Sequence, residues 1–177
     1  MMVPARCWRA ALSIAAMLPV GCVRAPDSYS VPDQHQAFGA ELSDPEYVIA
    51  GARDAAKFFV RDIQKHDAGL WRWTGPEPEL EFTLSSTTNR KLVYDFVIND
   101  TTFKGTGPVT ISFFVNDRLL SRERYDSPGD KRFEKLVPKE WLQGREKTRV
   151  RARIENTWRT ADGVLLGILL KRAGFPE

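Results

Sequence analysis

Val109-Thr110-Ile111-Ser112-Phe113-Phe114-Val115-Asn116-Asp117 is the stretch that decides the fold class. Val109, Ile111, Phe113 and Val115 alternate with Thr110, Ser112, Phe114 and Asn116. A period of two puts one row of side chains against a core and the other toward solvent, the pattern of a half-buried strand. Asn116-Asp117 then supplies two residues suited to a hairpin turn, leading to Leu119-Leu120 and a polar strand that ends at Tyr125. Phe114 breaks the polar row and marks a second covered face, hence either two-sheet packing or a partner.

The same period runs outward from this stretch. Leu80, Phe82 and Leu84 alternate with Glu79, Glu81 and Thr83, and Leu92, Tyr94, Phe96 and Ile98 alternate with Val93, Asp95 and Val97. Ser127-Pro128-Gly129-Asp130 predicts a second turn before a strand over Phe133 to Val137, and Pro138 to Leu142 reads as one helical turn. Val150, Ala152 and Ile154 then point one way with Arg149, Arg151 and Arg153 the other, and an apolar run from Val164 to Leu170 closes the domain. Residues 47 to 63 carry two signals. Ala55, Phe59 and Ile63 recur at helical spacing behind Asp54, while Phe59, Arg61 and Ile63 sit two apart, so a short helix or turn precedes a strand at about 58 to 63. Short strands separated by polar turns predict an all-β domain, an antiparallel β-sandwich, over residues 45–177.

The N-terminus speaks of location. Arg6 and Arg9, with no acidic neighbour, precede a mainly apolar run from Ala10 to Val20 and the small pair Gly21-Cys22. As a helix the run spans about 16 Å, short of the roughly 20 residues that cross a bilayer core, so it reads as an export signal over residues 1–21. Leu18-Pro19-Val20-Gly21-Cys22 resembles the lipobox of bacterial lipoproteins, with Pro19 where that family usually has Leu. The resemblance implies a diacylglycerol on Cys22 as the first mature residue, anchorage in the cell envelope and, with Val23 next, placement in the outer membrane of a double-membraned cell. The alternative is an ordinary secretory signal with Cys22 incidental. Residues 22–44, rich in Pro, Ser, Asp, Gln and Gly, read as a flexible tether.

Loss of residues 1–21 removes two of 26 basic residues and leaves 24 against 23 acidic ones, so bulk charge gives no reason to expect nucleic acid. It also leaves Cys22 as the only cysteine, which excludes an intrachain disulfide and a multi-cysteine metal site.

Trp71 to Thr74, Leu80-Glu81-Phe82, the Val109 to Asp117 strand and turn, Phe133 to Trp141, and Leu166-Gly167-Ile168-Leu169-Leu170 together resemble the galactose-binding-like jelly-roll domains of bacterial envelope and sugar-active proteins. The resemblance covers roughly residues 58 to 175 and implies a jelly-roll fold. Its relatives include carbohydrate-binding modules, adhesion domains and domains with no known ligand, so it does not choose a function.

Chemistry-bearing residues are few. His35 lies in the tether and His66 in a polar loop, and no metalloprotease, nucleophile-elbow or phosphate-loop motif is present. Glu77, Glu79 and Glu81 offer a glycosidase-like carboxylate pair or, more simply, a solvated strand face. No catalytic residue, cofactor or metal is expected, and the chain is read as a non-enzyme.

Aromatic residues are the better lead, because sugar rings stack their apolar faces on tryptophan. Trp71 and Trp73 have alternate spacing and face one side together, and Trp158 stands among Asn156, Thr157, Arg159, Thr160 and Asp162. The candidate ligand-binding set is therefore Trp158, Arg159, Asp162, Trp71 and Trp73. The competing expectation makes the tryptophans covers for the ends of the core, favoured for Trp71, Trp73 and Trp141. Arg149, Arg151 and Arg153 would stand about 7 Å apart on one face, as a charge ladder against Glu79 and Glu81 or against the strand of Arg122 and Glu123, or as a contact for anionic glycans or lipid headgroups. Expected partners are membrane lipid through acylated Cys22, and a glycan or an envelope protein. An assembly lipoprotein with no small ligand is the runner-up reading, and a diverged hydrolase the third.

Overall fold

The computed structural model describes residues 43–64 and 69–176. The expected export signal, Cys22, most of the expected tether, His35 and His66 lie outside the described residues. In chain order the elements are β1 (Tyr47–Ile49), β2 (Phe59–Ile63), β3 (Arg72–Thr83), β4 (Lys91–Ile98), α1 (Asp100–Thr106), β5 (Val109–Val115), β6 (Arg118–Tyr125), β7 (Gly129–Leu136), β8 (Lys147–Ile154), β9 (Trp158–Arg159), β10 (Leu165–Leu166) and β11 (Leu169–Gly174). Short 3-10 turns over Ala55–Phe58 and Lys139–Trp141 stand where the sequence predicts helical turns.

All the strand pairings are antiparallel. They form the two layers of a β-sandwich. In one layer β11 lies between β4 and the pair β1 and β3, and β4 pairs on its other edge with β7; this is called the β4 sheet. In the other, the β5 sheet, the order is β2, β3, β8, β5, β6. β3 belongs to both. Its start pairs with β11 through Arg72 and Trp73, and its end pairs with β8 from Glu79 to Thr83. Between them stand Pro76 and Pro78, which lack the N–H a ladder needs and so suit the place where the strand leaves one sheet for the other.

The alternating residues fill the space between the layers. Leu92, Tyr94, Phe96 and Ile98 from β4 meet Ile111, Phe113 and Val115 from β5, all of them buried. Phe113 stacks on Phe133 at 3.8 Å with the ring planes 7° apart, which joins β5 to β7 across the core. Asn116 and Asp117 sit at φ 47° and 63°, the left-handed pair of a tight hairpin turn.

The predicted strands differ from the observed ones in three places. The run from Val164 to Leu170 is two strands rather than one. Gly167 separates them, and a Cβ there would stand 2.6 Å from the Gly75 carbonyl oxygen, too close for any other residue. The strand expected from Phe133 begins at Gly129, and all eight residues of β4 pair along it. Helix α1 is unexpected from the alternation, yet it has a local cause: the Asn99 side chain accepts from Thr101 N–H at 2.8 Å as an N-cap.

The domain edges are tied together. Ser43, assigned to the tether, is buried and donates its N–H to Asp54 Oδ1 at 3.0 Å. Glu46 and Arg90 form a buried ion pair, and Arg90 Nη2 also donates to the Phe175 carbonyl at 2.6 Å.

Candidate functional site

The outer face of the β4 sheet carries the most promising arrangement. Residues directly opposite each other in antiparallel strands share a face, so the register sorts the side chains. Arg72, Leu170 and Phe96 form one row and are buried, which identifies that row as core-facing. The next row is Trp73, Leu169, Val97 and Asp130, and it therefore faces outward. Arg172, Asp95 and Arg132 form a second outward row, and Tyr47, Gly174, Val93 and Glu134 a third.

Leu169 lies outside the core cluster but is only 6% exposed, so the outer face has an apolar patch of its own between Trp73 and Val97. Trp71, two residues before Trp73 and 38% exposed, keeps the same outward phase. Neither tryptophan belongs to the core cluster, which corrects the expectation that they cap the core. Trp141 does pack against that cluster, as expected.

Beyond the aromatic side of this face is an open recess of about 440 Å³ lined by Asp95, Asp130, Lys131, Arg132, Lys171 and Arg172. Asp95 is one of its two carboxylates. It accepts a hydrogen bond from the Tyr47 hydroxyl at 3.0 Å and an ion pair from Arg132 at 3.3 Å. Burial, and then the negative charge of Asp95, push the Tyr47 hydroxyl up to about 12, so it remains a donor at any physiological pH. A second recess of about 370 Å³, with Lys91, Val93 and Glu134 in its wall, shares Arg132 with the first.

Trp158 is placed elsewhere. It begins the small β9–β10 hairpin, pairs with Leu166, and lays its ring on α1, where a Cβ on Gly105 would be 3.0 Å from Trp158 Cδ1. Arg159 and Asp162 are engaged within the hairpin's own loop. Arg159 Nη1 donates to the Gly163 carbonyl at 3.0 Å, and Asp162 accepts from the Thr160 hydroxyl. The structure thus brings Trp71 and Trp73 together at the start of β3 and keeps Trp158, Arg159 and Asp162 as a separate hairpin.

The arginine row forms the expected cross-strand ladder on the outer face of the β5 sheet. Glu79 is opposite Arg151 and Glu81 opposite Arg149. Glu77 pairs with Arg61 at 3.2 Å and with Arg153 at 2.8 Å, while Glu81 pairs with Lys147 at 2.8 Å. Phe114 lies beneath this network, with the Arg151 guanidinium 4.5 Å from its ring centroid, so its cover is cationic side chains of its own sheet. Each of the three glutamates is therefore held by cations. Among the described residues no three His, Cys, Asp or Glu side chains gather into a set able to hold a metal ion.

Asp95, Arg132, Lys171 and Arg172 were not among the residues singled out in the sequence. They are ordinary alternating polar positions, and only the strand order β11-β4-β7 makes them neighbours.

No known family and no curated protein matches the sequence. Among solved structures, a family 35 carbohydrate-binding module from an environmental isolate is 15% identical with a TM-score of 0.45, over 70% of this chain and 90% of that one. The family 35 module from Clostridium thermocellum is 11% identical with a TM-score of 0.41, over 72% of this chain and 95% of that one. A CBM51 module from Clostridium perfringens in complex with methyl-galactose is 6% identical with a TM-score of 0.37, over 77% and 91%. At these levels the ligands of the neighbours do not transfer, and function rests on this chain's own residues.

Proposed function

We propose that this protein is a lipid-anchored, non-catalytic component of the cell envelope that binds carbohydrate on the outer face of its β4 sheet. The observation that carries the reading is the outward row of Trp73, Leu169, Val97 and Asp130, with exposed Trp71 in phase beside it. An apolar ring bordered by fixed hydrogen-bonding groups is the chemistry that accepts the C–H face of a sugar while its hydroxyls are satisfied at the edges. An assembly role without a small ligand is the second reading. It is favoured by Leu119 and Leu136, 53% and 56% exposed on the two strands β6 and β7.

Two measurements test the leading reading. On a glycan array, the full chain in detergent micelles is expected to retain a sugar, and Trp73→Ala to weaken that binding by about 2 kcal/mol, roughly 30-fold, with an unchanged melting curve. Binding unaffected by Trp73→Ala, or no glycan retained at all, overturns the site. For the anchor, Cys22→Ser is expected to move the protein from the membrane fraction to the soluble one or to leave uncleaved precursor. Wild-type protein that carries no lipid by mass spectrometry overturns it.

A further inference from the structure

We propose that the recess beside Trp73 binds the carboxylate or sulfate group of an acidic glycan, an inference that rests on the carbohydrate reading and names its ligand class. The recess is lined by four cations and two carboxylates. Both carboxylates are already taken. Asp130 is paired with Lys171 at 2.9 Å, and Asp95 holds Arg132 and the Tyr47 hydroxyl. One cation on the outer face, Arg172, remains over. The exposed Arg172 guanidinium has no hydrogen bond and no ion pair among the described residues, although it is in register with Asp95. Lys131 is in register with Phe96, in the row that faces the core, and donates to the Ser127 hydroxyl at 3.0 Å.

An excess of positive charge in a concave site favours an anion, and an uncommitted guanidinium offers the planar fork that carboxylate and sulfate oxygens match. The placement puts Arg172 close to the aromatic face. Trp73 is one strand across from β11, and Arg172 is three residues along β11 from Leu169, the partner of Trp73. At about 3.3 Å per residue and 4.8 Å between strands, at most roughly 11 Å separate the two Cα positions. The guanidinium is thus within reach of an acidic sugar stacked on Trp73 or of the next unit of an oligosaccharide. Asp95 is not an obstacle, because Arg132 and Tyr47 already satisfy its oxygens.

The test compares pairs of glycans that differ only in charge, using the full chain in detergent micelles and isothermal titration. The pairs are oligogalacturonate against its fully methyl-esterified form, and dextran sulfate against dextran. The acidic member of at least one pair is expected to bind ten-fold or more tighter, with the advantage declining as salt rises. Arg172→Ala is expected to abolish that advantage and leave the neutral member's binding unchanged. Because the exposed Arg172 side chain makes no hydrogen bond or ion pair among the described residues, its variant should melt as wild type does. Equal binding of charged and neutral members, or a preference that survives Arg172→Ala, overturns the inference while the carbohydrate reading stands. Binding of phosphatidylglycerol vesicles that depends on Arg172, without binding of any glycan, overturns both and assigns the recess to a lipid surface.

Discussion

Arg90→Ala is expected to lower the free energy of unfolding by about 3–5 kcal/mol, measured by chemical denaturation. Arg90 and Glu46 are 8% and 7% exposed, and their ion pair is the hub of a clamp between distant parts of the chain. Glu46 also accepts from the Ser85 N–H through its carboxylate and from the Phe175 N–H through its carbonyl, while Arg90 Nη2 donates to the Phe175 carbonyl. Removing the guanidinium leaves a desolvated carboxylate and a carbonyl without its donor, and neither can regain water without opening the domain edge. The double variant Arg90→Met with Glu46→Leu is expected to recover only part of the loss, since it removes the unpaired carboxylate but leaves the Phe175 carbonyl and the Ser85 N–H without their side-chain partners. A loss below about 1 kcal/mol for Arg90→Ala would place the pair in water and undo the clamp.

This clamp explains why the C-terminal segment Phe175-Pro176 is part of the domain, yet nothing in the sequence pointed to it. Glu46 and Arg90 sit beside turns, in stretches whose polarity reads as loop, and their burial depends on β1 and β11 lying side by side. The strands themselves were legible, because each presents one apolar row, and a one-residue slip would expose it. What alternation cannot convey is order. It gives β4 and β5 as half-buried strands, but not that β11 inserts between β3 and β4, or that β3 bends at its prolines to serve two sheets.

The candidate site divides along the same line. Trp71 and Trp73 stood out by residue type and spacing, and alternation correctly put them on one face. Which face, core or solvent, depended on their row in the sheet, and the structure resolves it through Leu169 and Val97. The charged recess was invisible because its residues come from β4, β7 and β11 and each, taken alone, is an unremarked polar position. In contrast, the Arg149, Arg151 and Arg153 ladder was readable, since regular spacing on one strand and glutamates on another suffice to suggest it. Trp158 shows the opposite risk. A dense polar neighbourhood in sequence resembles a binding loop, and here the hydrogen bonds of Arg159, Thr160 and Asp162 close a hairpin.

Phe113→Ala and Phe114→Ala form the sharpest test of the whole arrangement, because adjacent residues of the same type should differ greatly. Phe113 is fully buried and packs on Phe133 at 3.8 Å, on Tyr94 at 5.4 Å and on Phe96 at 6.5 Å between centroids, so it links β5 to both β4 and β7. Truncating it removes the transfer energy of the ring and leaves a cavity lined by three aromatic side chains that are themselves fixed in strands and cannot close the gap. A loss of about 3–5 kcal/mol is expected. Phe114 points to the other side, half-buried under the Arg151 and Arg153 guanidiniums at 4.5 and 5.5 Å. Its truncation removes exposed-face cation–π contacts of about 0.5–1 kcal/mol each, partly replaced by hydration of the two arginines, so the loss is expected to stay within about 1.5 kcal/mol. Chemical denaturation of both variants against wild type reads the difference directly. Equal losses, or a larger loss for Phe114→Ala, would mean that β5 presents its other face to the core and that every row assigned from its register is reversed.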